Sequence, residues 1–454
     1  MKRGLSTLFA LTVLISVGSA AAQEYNYWTH SYGTRAQLLA GVVVGSTSDL
    51  SATFYNPGAI VKTPDSSLII STQAYQLESL SIRSDSSNAV EIQSVDFSVA
   101  PSIFALRVTK KTAPHQFAIS GLTRYSSTFR DYVSVIEEGD VIPNPGDEYF
   151  AGRLDIESRL WEGWGGLSWS HALGSRVGVG VTQYIAYREQ HIRLAANAAV
   201  VEQESDAGTS EDIVRKYDYS HIRALWKLGA FFDYPTLDFG FTVTTPGITL
   251  LSGGSAYYDH SVVNGGGTPQ NQLASDNEQN PNISYRSPFS IAGGASYLFG
   301  RTKVHATLEW FSGAGEYAVV DPGSFDAQVT GETVSYPYTT DTKPVLNAGF
   351  GLERRFSELL SLYGSFVTDF SSYGGSGGSE TSLTGLNRYH INVGSSFTVR
   401  RVDLTVGLGY GFGGAPVQRA VGLDDGLLSG PVGTTVDGEE KYQRLLLLFG
   451  FALN

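Results

Sequence analysis

The chain has 454 residues, with 31 Lys and Arg against 44 Asp and Glu and a formal net charge of -13 at pH 7. An acidic balance of this size argues against nucleic acid as a partner. Cysteine is absent, so an exported chain of this length gains no covalent bracing and must find its stability elsewhere.

The first 22 residues have the pattern of an export signal. Lys2 and Arg3 precede an apolar stretch from Leu8 to Val17, and a run of alanines ends at Ala22. This pattern predicts a signal peptide at residues 1–22 that is cleaved after Ala22. An uncleaved membrane anchor would need about 18 or more apolar residues, which this stretch does not reach. The mature chain is therefore expected outside the cytoplasm.

From residue 67 onward the chain consists of stretches in which apolar and polar residues alternate, which is the two-residue period of a β-strand. The stretches 237–244 and 402–413 show it most clearly, with an apolar side chain at every second position. Fourteen strands are predicted, at 67–83, 91–109, 115–136, 149–172, 176–197, 214–232, 237–250, 286–299, 303–319, 343–353, 359–370, 387–399, 402–413 and 441–453. Pro101 cannot donate to a ladder, so the second strand is expected to begin at or after it or to bulge there.

Short and long connections alternate between these predicted strands. The short ones are 110–114, 173–175, 233–236, 300–302, 354–358 and 400–401. Transmembrane barrels have short turns on the periplasmic side and longer loops outside, and an even strand number places both termini in the periplasm. A soluble β-sandwich would also alternate, but the regular connections and the export signal favour an all-β fold: a transmembrane antiparallel β-barrel of about 14 strands, at residues 67–454.

A barrel of this size needs something in its lumen. Side chains alone fill a barrel of about eight strands, whereas sixteen to eighteen strands leave an aqueous channel. Residues 23–66 precede the first strand and are therefore predicted to form a hatch, or plug. Within them, Asn56, Pro57 and Gly58 predict a fixed turn, because proline presets φ, glycine supplies a positive φ at the third position and asparagine closes the turn.

The same segment resembles the N-terminal signature of the FadL-type outer-membrane transporters of long-chain fatty acids and other hydrophobic compounds. Those proteins carry a segment of glycine and small residues, then an acidic residue, a Ser-Ala pair and an aromatic residue that leads into Asn-Pro-Ala. The matching residues are Gly33, Gly41, Asp49, Ser51, Ala52, Tyr55, Asn56 and Pro57, with Gly58 in place of the alanine. Residues 229–246 and 288–310 also resemble strands of the family. The resemblance implies a fourteen-stranded barrel with an N-terminal hatch in the lumen.

The resemblance also implies a route for the substrate. A hydrophobic compound is caught by the outer loops, passes to a pocket beside the hatch and leaves sideways where the third strand kinks inward. Ser120 and Gly121 are the candidate kink positions, since glycine weakens a ladder and permits a bend, although glycine also serves as a close-packing residue. The predicted outer loops depart from the family. Residues 200–214 are acidic, and residues 251–286 are rich in Gly, Ser and Asn. Acidic loops suit either bridging of lipopolysaccharide phosphates through divalent cations or a soluble surface.

Several charged residues lie opposite the apolar faces of their strands and are predicted to line the lumen. They are Arg223, Lys227, Asp238, His305, Glu309 and Asp403. Two interpretations stay open. The side chains either line a substrate path, or they pair with one another and with hatch groups such as Arg35 and Asp49, because buried charges need partners.

No pattern of catalytic or metal-binding residues is evident. The eight histidines are scattered, without a His-Glu-x-x-His pair, and there is no phosphate-binding glycine loop. Outer-membrane lipid hydrolases use a serine and a histidine, and the nearest equivalent is His260 beside Ser261 in a predicted loop. We therefore expect no enzyme, no cofactor and no metal site.

Three functions remain open from the sequence. The first is passive transport of hydrophobic small molecules across an outer membrane, with lipid and lipopolysaccharide as the surroundings. The second is the handling of secreted proteins, since some FadL-type relatives are shuttle components of the type IX secretion apparatus. The third is a structural or adhesive surface porin.

Overall fold

The structure is a computed structural model. It describes residues 25–63, 67–84, 91–110, 112–139, 146–204, 207–264, 271–374, 385–421 and 434–453. The predicted signal peptide at residues 1–22 lies outside the described residues, and its cleavage stays a prediction.

Short helices come first and strands follow. The helices are α1 (Thr34–Leu38), α2 (Ala52–Tyr55) and a 3-10 helix (Pro57–Lys62). Fourteen strands form the barrel wall: β1 (Leu68–Ser84), β2 (Glu91–Arg107), β3 (His115–Gly139), β4 (Glu148–Leu173), β5 (Val177–Glu202), β6 (Gly208–Asp233), β7 (Leu237–Thr244), β11 (Ser290–Phe299), β12 (Thr302–Phe311), β17 (Val345–Arg355), β18 (Leu360–Asp369), β19 (Arg388–Val399), β20 (Val402–Val421) and β21 (Thr434–Leu453). The other strands, which lie outside this wall, are β8 (Ile248–Asn264), β9 (Gln272–Gln279), β10 (Asn282–Ile283), β13 (Gly315–Asp321), β14 (Phe325–Asp326), β15 (Thr333–Val334) and β16 (Tyr338–Thr342).

Antiparallel pairing closes the wall into a barrel. Each wall strand pairs with the next, and β1 pairs with β21 from Leu68 opposite Leu453. The start of β1 and the end of β21 therefore both lie on the side of the barrel that carries the short turns. The predicted all-β class, the antiparallel barrel and the count of fourteen wall strands are confirmed. Both termini lie on one side because an even number of strands returns the chain to its starting edge.

The apolar faces of the strands point outward. On β20, Leu404, Val406, Leu408 and Tyr410 are between 40% and 49% exposed, whereas the residues between them are buried. A soluble sandwich would bury this face, while a membrane barrel presents it to lipid. The chain is therefore a transmembrane β-barrel of the kind found in bacterial outer membranes. Among the described residues, no helix has the length and apolar character to span a bilayer, a finding that does not bear on strands.

Several wall strands extend far beyond the membrane. Strands β4, β5 and β6 have 26 residues each, although about 9–11 residues cross the hydrocarbon core. The predicted acidic loop at 200–214 is therefore wrong, because β5 continues to Glu202 and β6 begins at Gly208. The ladder accommodates the acidic residues there, and the buried Glu211 carboxylate accepts a 2.7 Å hydrogen bond from His260.

The predicted long loop at 251–286 is also wrong. Strand β8 continues the path of β7 along β6, and β9 folds back on β8 as a hairpin. Pro246 separates β7 from β8 because it cannot donate to the ladder. Farther out, β10, β13 and β16 form a small sheet, which we call the outer cap. Tyr217 and Tyr258 of the wall pack with Tyr336 and Tyr338, so the outer cap has an aromatic core of its own.

Strand β2 contains a bulge beside Pro101. Ser71 of β1 pairs with Ile103, but its neighbour Thr72 pairs with Pro101, so Ser102 is left as the extra residue. The bulge is one of the two predicted solutions for Pro101. The other, a strand that begins at or after the proline, is wrong, because β2 begins at Glu91. A bulge removes the proline from the positions where a backbone N–H must donate.

A candidate substrate pocket in the barrel lumen

Residues 25–63, here called the hatch segment, lie inside the barrel. Most of their side chains are buried, and hydrogen bonds join them to several sides of the wall. The Asn392 side-chain amide donates to the Gln37 carbonyl at 2.7 Å, and the Tyr184 hydroxyl donates to the Thr53 carbonyl at 2.8 Å. Residues 25–63 thus lie in the lumen. That they act as a hatch stays a prediction, as do the outer boundaries 23 and 66, which fall outside the described residues.

Asn56 anchors the hatch segment to the wall and to itself. Its side-chain oxygen accepts from the Gly58 backbone N–H at 3.1 Å, and its amide donates to the Val44 and Ala230 carbonyls at 2.9 and 3.0 Å. The side chain therefore caps the 3-10 helix, in which Pro57 is the first residue. The capping and preset φ follow the general preferences of asparagine and proline.

Gly58 has a different role from the predicted one. A positive φ was expected there, but Gly58 is not among the residues with positive φ, because it continues the 3-10 helix. Instead, a side chain on Gly58 would lie 2.7 Å from the Gly178 carbonyl and 2.8 Å from the Gly229 carbonyl. The glycine is needed because two wall strands approach the hatch backbone directly.

The remaining motif residues hold the hatch segment together. Asp49 accepts from the Thr34 hydroxyl at 2.9 Å and from the Ser51 backbone N–H at 2.8 Å. Gly33 has φ of 96°, and a side chain on it would meet Ser51 at 2.5 Å. The Tyr55 hydroxyl accepts a hydrogen bond from the Tyr32 backbone N–H at 2.9 Å. Burial raises the pKa of Tyr55 above its ordinary value.

Ala52, the other member of the Ser-Ala pair, begins α2 and is fully buried. A larger side chain at this position would have to find space in the closed interior of the barrel. The eight predicted motif residues therefore contribute packing and internal hydrogen bonds. Gly33, Asn56 and Gly58 also contact the wall, and the Gly33 backbone N–H donates to the Ser71 hydroxyl oxygen of β1 at 3.0 Å.

A pocket lies between the hatch segment and the wall, with a cavity volume of about 70 Å³. This is smaller than most small-molecule sites, roughly 300–1,000 Å³, so the pocket suits a compact ligand. Aromatic rings dominate its lining: Tyr27, Trp28, Phe54, Tyr55, Tyr125, Trp164, Tyr285 and Phe311. Rings from the hatch meet rings from the wall, as in Tyr27 with Phe311 at a centroid distance of 4.4 Å. The pocket offers flat apolar surfaces to a ligand.

A buried ionic cluster forms one side of this pocket. Glu162 of β4 is fully buried and accepts from Arg188 at 3.0 Å, from Arg223 at 2.5 Å and from the Trp164 indole at 2.6 Å. The Tyr285 ring covers both guanidinium groups, with centroid distances of 4.1 and 4.8 Å. Two cations and an indole thus satisfy one carboxylate, as a charge buried in an apolar setting requires.

The predicted lumen residues separate into two groups. Arg223, Lys227 and Glu309 line the pocket. Glu309 accepts from the Trp28 indole and from Ser290, both at 2.8 Å. Lys227 is 5% exposed, and its ammonium lies 4.5 Å from the centroid of the Phe54 ring.

The other group lies toward the end with the short turns. Asp238 pairs with Lys303 at 2.6 Å, and His305 contacts the Ser46 hydroxyl at 2.9 Å and Glu353 at 3.6 Å. Asp403 lines a second, polar cavity of about 750 Å³ on the far side of the hatch segment. Arg35 of the hatch also forms an ion pair with Glu353.

Ser120 and Gly121, the candidate kink residues, lie in a regular part of β3. Ser120 pairs with Ala105 of β2, and Gly121 with Phe104. The register shift of β3 against β4 comes later, between Thr123 and Tyr125. Whether Ser120 and Gly121 affect substrate movement stays a prediction, but the irregularity itself is centred on Arg124.

The ladder between β2 and β3 is short in the described part of the chain. It runs only from Arg107 opposite Ala118 to Ile103 opposite Leu122. Beyond this point β2 still pairs with β1, and β3 with β4. The bulge at Arg124 turns that side chain into the pocket, where its guanidinium donates to the Tyr27 carbonyl at 2.8 Å. The pocket therefore lies directly beside the place where β2 and β3 separate.

The histidine beside Ser261 is not in a loop, as expected, but in β8. His260 is buried and bonds Glu211, whereas Ser261 points to the opposite face of the strand by the alternation of side chains. The two side chains do not face each other. Among the described residues, no group of His, Asp and Glu is arranged to hold a metal ion.

Sequence reasoning did not single out Arg124, Glu162 and Trp164, which line the pocket, or Arg188, which pairs with Glu162. The phase of alternation could have found the last three, because Glu162 and Trp164 on β4 and Arg188 on β5 continue the two-residue steps of buried positions on their strands. Arg124 could not be found in this way. Its bulge changes the phase of β3, and four consecutive residues from Leu122 are buried.

Comparisons with solved structures return the same architecture, while neither a protein-family model nor a curated protein matches the chain. The P. putida toluene transporter TodX has a TM-score of 0.61 at 14% identity. A Pseudomonas aeruginosa FadL homologue has a TM-score of 0.57 at 12% identity, and the Ralstonia pickettii toluene transporter TbuX has 0.53 at 11%. Each alignment covers 94% of this chain and 99% of the other.

The fold is that of the FadL-type transporters. The alignments leave out 6% of the chain, which is fewer residues than the hatch segment contains, so they include at least part of it. At 11–14% identity the likeness concerns the backbone architecture. The FadL-type fold suggested by residues 33–58 is thus confirmed, and these structural neighbours are channels and transporters.

Proposed function

We propose that the chain is a FadL-type channel that moves small hydrophobic molecules passively across a bacterial outer membrane. The observation that carries this proposal is the aromatic pocket between the hatch segment and the wall. A pocket enclosed by rings, inside a barrel whose outer surface meets lipid, provides a place where an apolar molecule leaves water before it reaches the membrane. The hatch segment fills the lumen below it and blocks a direct path for water and ions.

The substrates of this channel are hydrophobic compounds, of which long-chain fatty acids are one class. The size and shape of the pocket favour compact molecules with flat faces over extended chains, because its cavity of about 70 Å³ lies among eight aromatic rings. The same limits disfavour the handling of secreted proteins, since a folded or extended protein needs a wider path. In this proposal, lipopolysaccharide contacts the outer parts of the long strands.

The exit in this proposal is lateral, between β2 and β3. Within the described part of these strands, pairing ends at Ile103 and Leu122, and the pocket residues Arg124 and Tyr125 lie immediately past that point. A molecule that leaves here enters the membrane interior directly. It avoids both the polar cavity beneath the hatch and the charged surface outside.

Uptake into liposomes tests the proposal. Proteoliposomes with the chain should accumulate labelled toluene and labelled palmitate in their membrane faster than empty liposomes, and heat-denatured protein should give the empty rate. If liposomes that contain the folded protein take up both compounds no faster than empty liposomes, a transport function is contradicted.

A crosslink tests the exit. The chain has no cysteine, so Ser102→Cys with Thr123→Cys would join β2 and β3 one step beyond their last pair, by a disulfide or a short bismaleimide. Crosslinking should stop uptake. The control pair, Ala105→Cys with Ser120→Cys, lies within the existing ladder and should leave uptake unchanged. Normal uptake by the crosslinked first pair would exclude this exit.

A further inference from the structure

The pocket contains a buried lysine that no carboxylate of the described residues contacts directly. Lys227 is 5% exposed, and among the described residues no hydrogen bond or ion pair involves its ammonium. Its closest described partner is the Phe54 ring, at 4.5 Å from the centroid. Burial of an unpaired charge is costly, so a lysine held here in an aromatic pocket calls for an explanation.

The carboxylates near Lys227 are already occupied. Glu309 accepts hydrogen bonds from Trp28 and Ser290, and Glu162 accepts from Arg188, Arg223 and Trp164. The lining carries three cations, Arg124, Arg223 and Lys227, against these two carboxylates. The pocket therefore has an excess of positive charge that the protein itself does not neutralise.

A second donor points to the same conclusion. Arg223 donates through Nε to Ser287 at 2.6 Å and through Nη2 to Glu162 at 2.5 Å. Its Nη1 is buried and has no hydrogen-bond partner among the described residues. Arg223 and Lys227 are four residues apart on β6 and both line the pocket, so they face its interior from the same strand. Together they offer charged donors to an acceptor that the protein lacks.

We infer that the pocket binds small aromatic monocarboxylates, with the carboxylate at Lys227 and Arg223 and the ring among the aromatic side chains. The two donors suit an anionic oxygen, since hydrogen bonds between charged groups are the strong ones. The surrounding rings suit a planar apolar body. This inference rests on the proposed function, because it narrows the substrates of the same pocket from hydrophobic compounds in general to one charged class.

The structure also separates this class from two others. A neutral hydrocarbon would leave Lys227 buried without a counter-ion, so it gains nothing from the cations. An alkyl carboxylate would use the cations but would not stack on the rings. An aromatic carboxylate uses both features of the lining.

Calorimetric binding to the purified protein in detergent tests the inference with three probes of similar size. Toluene lacks the charged group of benzoate, and cyclohexanecarboxylate keeps the charge but lacks the aromatic ring. We expect benzoate to bind about tenfold to a hundredfold more tightly than toluene, as one charge-assisted hydrogen bond would give. Benzoate should also bind more tightly than cyclohexanecarboxylate.

Lys227→Met removes the charge and keeps the length of the side chain. It should abolish the preference for benzoate over toluene and leave toluene binding intact. The matched control is Lys216→Met, because Lys216 lies on the same strand over the Tyr257 ring, at 5.1 Å, but outside the pocket. Lys216→Met should keep the preference. Heat-modified mobility in gels checks that both variants are folded.

The outcomes are distinct. If the original chain binds toluene as tightly as benzoate, or if Lys227→Met keeps the preference, the anionic class is wrong and hydrophobic transport stands. If cyclohexanecarboxylate binds as tightly as benzoate, the aromatic requirement is wrong. If none of the three probes binds and toluene does not enter proteoliposomes, the inference and the proposed function fail together.

Discussion

The two sides of the hatch segment meet the barrel wall in different ways. Toward β5, β6 and β11 the hatch and the wall touch backbone to backbone, with Gly58 against Gly178 and Gly229, and with Gly45 against Gly294. Toward β3, β4, β12 and the part of β6 that carries Arg223 and Lys227, the pocket separates them, and large aromatic and charged side chains face each other across it. One side leaves no space for a methyl group, and the other keeps space for a ligand.

This difference indicates how a barrel can be plugged and still pass a molecule. Close backbone contact fixes the hatch because interiors packed at this density tolerate little displacement. The open side can then hold a substrate without loosening the plug. The break between β2 and β3 lies on the open side, so the proposed substrate path and the anchor of the hatch use different parts of the wall.

The largest effect should come from removal of the hatch. Deletion of residues 23–62, behind an intact signal peptide, leaves a fourteen-stranded wall with nothing in its lumen. Because barrels of sixteen or more strands form water-filled pores, we expect a large rise in single-channel conductance in planar bilayers.

The full chain in the same bilayers is the control, and it should conduct little. A deletion variant that assembles, as judged by its heat-modified mobility, and conducts no better than the full chain would show that the hatch segment does not seal the barrel.

A side chain on the anchored side should have the next largest effect. In Gly229→Val, the new Cβ would lie 2.8 Å from Pro57 and 2.9 Å from the Gly58 nitrogen. Overpacking of this kind costs about 1–3 kcal/mol, and the hatch can relieve it only by leaving the wall. We expect raised conductance at an intermediate level and a lower unfolding temperature. Conductance at the level of the full chain would mean that the hatch is fixed elsewhere.

Loss of an ionic anchor should cost less. Arg35 of the hatch pairs with Glu353 of β17, and both side chains are 14% exposed. Arg35→Met leaves that carboxylate without its cation, and we expect a loss of about 1–3 kcal/mol in the free energy of unfolding. Urea titration in detergent measures it.

Arg130→Met is the matched control, because Arg130 is 61% exposed where it pairs with Glu157. Exposed pairs contribute little, so its unfolding midpoint should stay close to that of the original chain. Equal midpoints for the two variants would show that the Arg35 pair is not an anchor.

The wall could be predicted from the sequence, whereas most of the pocket could not. Alternation alone locates β20, since Leu404 to Tyr410 point outward at two-residue steps. The same rule fails at β3, because the bulge at Arg124 changes its phase. It also fails at Gly58, whose role depends on how closely two distant strands approach it. Pairing of lumen charges likewise depends on contacts between residues far apart in sequence.

The outer cap was missed for another reason. Its strands have only two to seven residues, as in β10 and β13, so they carry no clear two-residue period. Their stability comes from aromatic residues that converge from separate parts of the chain, including Tyr217 of the wall and Tyr336. A pattern read along the sequence does not reveal such convergence.

The smallest effect is expected at Gly121, and it sharpens the contrast between the two sides of the hatch. A Cβ on Gly121 would meet nothing within 4 Å, and the residue lies in the regular ladder between Phe104 and Gly165. We therefore expect Gly121→Val to keep the conductance, the stability and the toluene uptake of the original chain, unlike Gly229→Val. Reduced uptake with an intact barrel would instead assign Gly121 to the exit, and would mean that β3 bends before Arg124 when a substrate passes.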